Sequence, residues 1–375
     1  MCVGKFKYAG DELKDAAINK KINYDDEIYY SLREFLDRLP GGYPKTVSGV
    51  EIKILKKLFT PEQAIVALCL TQRPEPAAII AKKLGWGQTE TAKMLDSMAN
   101  QGLIISIQDK STGNFLYSAL QFMPGIYELQ VNTLDQELAK YMEEYLPHLS
   151  RVWEVSNTKQ FRIVPIGASI SPNLTISSYE KIDELIKDVK VAAVAPCVCV
   201  KEQMVLGNNC HGPLERCLVF NNAAQRYLEQ KKARKINKNE LLDILKMGEE
   251  KALVPSLMNV QKIINICLCC KCCCGVLRML KNFSRPAEQI HSSFQAKIDS
   301  DLCISCGICK ERCQMDAISN GETYEINKDR CIGCGLCVPT CPSNAISLEP
   351  KPLTVPIPNN LFEMRINIMK DRGLA

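Results

Sequence analysis

Apolar residues recur at helical spacing through the first third of the chain. Ile28, Leu32, Phe35, Leu36 and Leu39 share one face of a helix predicted over residues 11–39, which Pro40, Gly41, Gly42 and Pro44 interrupt. Ser48 with Glu51 reads as a capping box opening a helix to about Phe59, and Thr60, Pro61 and Gln63 open another. Cys69 lies in the apolar stretch AIVALCL and is expected to be a buried core thiol. Residues 74–118 then follow a winged-helix order. A helix over 77–84 precedes the turn Gly85-Trp86-Gly87, a second helix covers 89–101, and strands over 104–107 and 115–117 flank a wing at 111–114. An acidic helix is predicted over 125–151, ending near Pro147, with His148 solvated or capping at that end.

Beyond residue 150 the periods shorten. A strand over 161–166, a helix over 178–188 and a strand over 189–195 make a small α/β pattern. Arg226, Lys231, Lys232, Arg234, Lys235 and Lys238 form a basic run in which Glu229 is the only acid. A solvated helix face and loop is favoured there over an acidic-partner site. A helix is predicted over 238–248 with Gly248 at its end. Pro350, Pro352, Pro356 and Pro358 make a stiff linker before an amphipathic helix over 361–370, expected to fold back on another domain.

Composition changes this picture in one respect: 375 residues carry 20 cysteines. The N-terminal residues 1–15 are polar and charged, without a signal-peptide core, and the longest apolar run, 189–200, contains Lys190 and Pro196 and is too short to span a bilayer. The expected compartment is therefore a reducing cytoplasm, where dense cysteine means metal rather than disulfides. Net charge is +5 overall, but residues 296–350 hold five Lys/Arg against eight Asp/Glu, a net −3 that leaves +8 elsewhere. An acidic module beside a basic remainder suggests electrostatic docking of a redox partner rather than a general nucleic-acid surface.

Two copies of one cysteine run occupy residues 303–341. Cys303, Cys306, Cys309 and Cys313 are followed at an offset of 28 by Cys331, Cys334, Cys337 and Cys341, then Pro342. Each copy is C-x2-C-x2-C-x3-C, the run that holds two [4Fe–4S] cubanes in bacterial-type ferredoxins, where the fourth cysteine serves the other cluster. Cluster I is accordingly assigned to Cys303, Cys306, Cys309 and Cys341, and cluster II to Cys331, Cys334, Cys337 and Cys313. The repeat extends to Ala317-Ile318-Ser319 and Ala345-Ile346-Ser347, which marks a pseudo-twofold unit. Gly307, Gly333 and Gly335 are expected at positive φ, and Ile304, Ile308, Ile332 and Leu336 are expected to exclude water. Gln314 stands where the second copy has Pro342, a change expected to loosen the turn. A zinc site would space its C-x2-C pairs more widely than these consecutive runs.

A second group of ten cysteines precedes the repeat. Cys197 and Cys199 follow Pro196, Cys210 and Cys217 come next, and the string ICLCCKCCC supplies Cys267, Cys269, Cys270, Cys272, Cys273 and Cys274. In extended chain, Cys267 and Cys269 would share one face, with Cys270 and Cys272 offset on the other. Ligands on both faces fit two metal centres or one larger cluster. Two further [4Fe–4S]-type clusters, one non-cubane cluster, or a structural zinc with spare thiols all remain open. His211 is expected to hydrogen-bond at the site rather than ligate, and Cys2 is given no role.

At this point the chain resembles a family of anaerobic bacterial and archaeal 4Fe-4S binding proteins built from three parts: a winged-helix-like N-terminal region, a cysteine-rich middle and a terminal 2[4Fe–4S] ferredoxin domain. The resemblance runs through GVEIKILKKLF, PGIYELQ, APCVCV, GPLERCLVF and ICLCCKCCCGVLR into the ferredoxin repeats. Members often carry C-x-C-R and ICNCC, where this chain has Val200 and Leu268. The resemblance implies electron transfer in anaerobic redox metabolism and no particular substrate.

The fold class expected is α+β multidomain: 1–150 helical and winged-helix-like, 151–285 a cysteine-rich α/β domain, 286–350 the ferredoxin domain, and 351–375 linker and helix. No Walker A loop, dinucleotide fingerprint, metalloprotease motif or nucleophile elbow is visible, which favours an electron carrier or oxidoreductase subunit over a self-contained enzyme. Its partner would be a redox protein or soluble carrier. The alternatives are a redox-responsive winged-helix regulator and a small-molecule reductase acting at the central cysteines. The segment TETAKMLDSMANQ sets one Lys93 against Glu90 and Asp96, so it is close to neutral and a poor match to a groove-reading helix.

Overall fold

A computed structural model describes residues 24–109, 111–165, 167–169, 177–210, 212–321, 323–352 and 355–374. The chain divides into two compact units between Val152 and Trp153. The boundary expected at 150 lies two residues from this division, and those expected at 285 and 350 fall inside the second unit.

The first unit opens with α1 (Tyr24–Asp37), α2 (Val50–Leu58) and α3 (Pro61–Leu68). Thr60 caps α3 in a complete capping box with Gln63, and Pro61 begins the helix, as the sequence pattern requires. The start of α2 differs from expectation. Gly49, in the left-handed region at φ 69°, takes the N-cap position, and Thr46 rather than Ser48 hydrogen-bonds the Glu51 carboxylate. Cys69 is buried at the end of α3.

Strand β1 (Glu75–Pro76), helices α4 (Ala77–Leu84) and α5 (Gln88–Gln101) and the hairpin β2 (Ile104–Gln108)–β3 (Phe115–Ala119) follow. Their three strands form an antiparallel sheet in the order β1-β3-β2. The acidic helix, α6, begins later than expected and runs through Pro147, spanning Gln136–Glu154. His148 therefore lies inside it, against the Tyr145 ring.

The second unit is built on a six-stranded sheet. Its strands are β4 (Phe161–Ile163), β5 (Ala192–Pro196), β6 (Glu215–Phe220), β7 (Arg234–Ile236), β8 (Val254–Met258) and β9 (Asn265–Cys269), in the order β4-β8-β9-β6-β5-β7. Every neighbouring pair is antiparallel, so the expected small α/β pattern is an antiparallel α+β layer. Helices α7 (Ile182–Lys187), α8 (Val198–Val205), α9 (Asn221–Glu229), α10 (Lys238–Glu250) and α11 (Gly275–Lys281) connect or follow these strands. Val194, Leu218, Phe220, Leu257 and Ile266 form the heart of the main core. Gly248 does not end α10. It lies within the helix, where an added Cβ would come 2.9 Å from Leu268, so glycine permits close approach of helix and sheet.

The basic run is only partly solvated. Lys231, Arg234, Lys235 and Lys238 are exposed, whereas Lys232 is buried and Arg226 half-buried. Burial lowers the Lys232 ammonium to about 8, and the Arg226 charge adds to that effect.

Two short antiparallel pairs carry the cysteine repeat: β10 (Phe294–Ile298) with β13 (Ile346–Pro350), and β11 (Ile318–Asn320) with β12 (Tyr324–Ile326). Helix α12 (Ile308–Arg312) lies in the first copy. Helix α13 (Leu361–Asp371) packs Met364 and Ile368 against Val260, and Asp371 accepts hydrogen bonds from Ser156 and from the Thr158 backbone. It thus folds back on the central sheet.

Candidate metal centres

The repeat in sequence is a repeat in backbone. Ser305 and Gly333, Gly307 and Gly335, and Asp316 and Asn344 are pairs 28 residues apart, and all six residues have positive φ. These left-handed positions turn the chain sharply between successive cysteines, which points three thiols of each run inward. Cys303, Cys306, Cys309 and Cys341 line one cavity together with Ile304, Ile308 and Tyr324. Cys313, Cys331, Cys334 and Cys337 line another with Met315, Ile332 and Leu336. The structure thus brings together the same two quartets that the spacing assigns, each with a cysteine from the other copy.

The two quartets sit in different surroundings. Ile332 and Leu336 are 2 % and 1 % exposed, but Ile304 and Ile308 are 65 % and 39 % exposed and do not screen the first quartet as expected. Burial pushes the Cys334 thiol up to about 12 and raises Cys337 and Cys313 too. Cys341, in the outer quartet, is held below its ordinary value: burial, the largest single effect, raises it, but hydrogen bonds from Ser343 and from the backbone, including the N–H of Ala345, together outweigh that. Backbone N–H groups of Ala296 and Ala317 donate to Cys331 and Cys313 in the inner quartet.

The ten central cysteines separate into two groups about β9. Cys267 and Cys269 alternate onto one face of the strand, and Cys217 is the register partner of Cys267 on β6. Cys197 precedes α8, Cys199 lies in its first turn, and Cys274 precedes α11. These six thiols are joined in pairs: Cys197 with Cys199, Cys199 with Cys274, Cys274 with Cys269, and Cys217 with Cys267. Hydrogen bonding to Cys199, then burial, raises Cys197, and hydrogen bonding to Cys217, then burial, raises Cys267. Five of these crowded thiols, Cys197, Cys199, Cys267, Cys269 and Cys274, are raised above the ordinary thiol value and hold their protons until a cation arrives to stabilise the thiolates.

The other four gather in a tighter group. Sγ atoms of Cys210 and Cys270 are 3.7 Å apart, Cys210 and Cys272 3.8 Å, Cys270 and Cys272 3.2 Å, and Cys272 and Cys273 3.6 Å. All four sulfurs lie within 4.8 Å of one another and could hold a metal ion. Arg216 is adjacent to Cys217 on β6 and so faces the opposite side of the strand. Its guanidinium donates to Cys270 at 3.1 Å and to Cys210 at 3.5 Å. The hydrogen bond with Cys273, aided by the Arg216 charge and opposed by burial, brings the Cys270 thiol down to about 3. His211 lies outside the described residues, as does Cys2.

The chain pattern gave no role to Arg216, Lys271 or a structural Gln314. The Gln314 side chain accepts a hydrogen bond from the Lys271 backbone N–H at 2.9 Å, within the CCKCCC string. Lys271 Nζ reaches the Cys313 carbonyl and Asp316, Lys281 also pairs with Asp316, and Arg312 donates to the Glu249 carbonyl. Gln314 therefore ties the turn to the central loop instead of loosening it. The tight cysteine group and the inner quartet are neighbours through Lys271 and Cys313. The one sequence signal for this contact was the break in the repeat at Gln314.

The donor set fits its cofactors: soft thiolates in two quartets, one enclosed and one more exposed, suit iron–sulfur clusters. A family model described as the 4Fe-4S dicluster domain matches residues 296–348. No curated protein and no solved structure matches the chain. The dicluster match and the clustered cysteines define an iron–sulfur protein with a ferredoxin-like domain. Among the described residues no helix is long and apolar enough to cross a membrane.

Proposed function

We propose that this chain is an iron–sulfur electron-transfer protein that relays electrons to or from an oxidoreductase partner in the cytoplasm of an anaerobe. The observation that carries the reading is the pairing of two cysteine quartets, each completed by the other copy, within the matched dicluster domain. When bound, two [4Fe–4S] clusters supply one-electron exchange, and the protein's part is to hold and tune them. Cys303, Cys306, Cys309 and Cys341 would hold cluster I at the exposed side, where a soluble carrier has access. Cys331, Cys334, Cys337 and Cys313 would hold cluster II against the central loop. The six-thiol group (Cys197, Cys199, Cys217, Cys267, Cys269 and Cys274) offers donors for a further cluster.

Anaerobic purification followed by iron and acid-labile sulfide analysis, with EPR after dithionite reduction, tests this reading. About eight irons with equal sulfide place the redox chemistry in the dicluster domain alone, and about twelve or more add the central thiols. Fewer than about four irons with no cubane signal would overturn the proposal.

The β1-α4-α5-β2-β3 order and the β1-β3-β2 sheet support a winged helix in the first unit. Its α5 exposes Glu90, Lys93 and Asp96, a near-neutral face that suits a protein partner better than duplex DNA. Salt-dependent binding to duplex DNA would instead favour a redox-responsive regulator.

A further inference from the structure

We infer that Cys210, Cys270, Cys272 and Cys273 form a mononuclear tetrathiolate site for one thiophilic divalent ion, zinc or ferrous iron, distinct from any cluster. A tetrahedral ion bonded to four sulfurs at about 2.3 Å sets neighbouring sulfurs about 3.8 Å apart. Four of the six sulfur–sulfur edges are 3.7, 3.8, 3.2 and 3.6 Å, three of them close to that value and one shorter, and all four sulfurs lie within 4.8 Å of one another. A cubane binds its four cysteines through four different irons and spaces their sulfurs more widely. The molecule contains its own comparison. Neither dicluster quartet draws its sulfurs within 4.8 Å, and nor does the six-thiol group, whereas this set does.

A second observation is independent of the sulfur distances. Arg216 is 1 % exposed, aims one arm of its guanidinium at Cys270 and Cys210, and has no partner for Nε and Nη1. A buried cation of this kind requires a compensating negative charge. Four thiolates around one divalent ion carry a net charge of about −2 and supply it. Gly212 makes room: a Cβ there would lie 2.8 Å from Nη1. As the ion binds, the thiols still protonated release their protons to solvent, and no change of oxidation state is involved. Cys272 is exposed and leaves a path for entry.

The test compares the anaerobically purified full-length chain with its Cys210→Ser/Cys272→Ser variant, measuring zinc, iron, acid-labile sulfide and the EPR of the reduced cubanes. The expected result is loss of about one zinc or one iron per chain, with sulfide and cubane signals unchanged. Loss of iron and sulfide in equal amounts would show a cluster there, and unchanged metal content would show no ion; either overturns the inference. If the double variant does not fold, Cys272→Ser alone, altered at an exposed position, should release the same ion to a chelator at least about tenfold faster than wild type. An unchanged release rate sinks the inference. Cubane signals missing from the wild type would defeat the electron-transfer reading while leaving this single-ion measurement intact.

Discussion

The two halves of the cysteine repeat share a backbone and differ in what presses on them. Ser305 and Gly333 occupy equivalent left-handed positions at φ 54° and 65°. A Cβ at 333 would meet the Phe294 carbonyl oxygen at 2.0 Å, so the inner copy must have glycine, while the outer copy accepts serine. Isoleucines near the outer quartet stand in solvent, and their counterparts in the inner copy are buried. At position 314 the inner quartet's fourth strand of chain carries glutamine to bind the central loop; at 342 the matching residue is an exposed proline. One repeated pattern thus serves two tasks, an exposed quartet suited to exchange and an enclosed one docked on the central loop. The departures from the repeat are where those tasks diverge.

The strongest way to break this comparison is to exchange residues between copies. Gly333→Ser should prevent assembly of the inner quartet, with loss of about four irons per chain, whereas Ser305→Gly should keep them all and change stability by about 1 kcal/mol or less. Iron analysis and thermal unfolding read both, and equal tolerance at the two positions would defeat the argument.

Acid should act on the inner side as well. His291 pairs through its backbone with Phe161 and Ile163, just before the segment that crowds Gly333. Burial, then the charges of Arg162 and Lys351, holds its imidazole down at about 4, so the folded chain keeps it neutral. The unfolded chain takes up that proton first. The His291 contribution is complete above pH 6.5 and is lost as pH falls towards 4, with a slope of at most about 1.4 kcal/mol per pH unit. Denaturant unfolding of wild type and His291→Gln across this range should show the flatter profile in the variant; parallel profiles would exclude His291 as the source.

Removing the glutamine contact is a smaller step. Gln314→Ala leaves the Lys271 N–H without its acceptor and should cost about 1–3 kcal/mol, against less than about 1 kcal/mol for Pro342→Ala. Matching losses in denaturant melts would show that Gln314 has no docking role. The mildest difference is kinetic: under limited air exposure the outer quartet should lose its EPR signal first. Simultaneous decay would mean that exposed Ile304 and Cys306 confer no added vulnerability.

The sequence by itself determined the two quartets, because ligand spacing and the 28-residue offset are local properties of one continuous stretch. It also determined the Thr60 cap, the helix pair 77–101 with its hairpin, and the alternation that separates Cys267 and Cys269 from Cys270 and Cys272. Helix ends were legible only where local chemistry dictates them: the packing of α6 carries it past Pro147, and the packing of α10 carries it past Gly248. Only the tertiary structure decided how ten central thiols divide. Cys210 lies 60 residues from Cys270, and Arg216 acts on the Cys270 sulfur 54 residues away, so neither relation has a sequence period. The roles of Gln314 and Gly333 were decided in the same way. Their neighbours, Lys271 and Phe294, are supplied by other segments, and close packing between segments is a property of the folded chain alone.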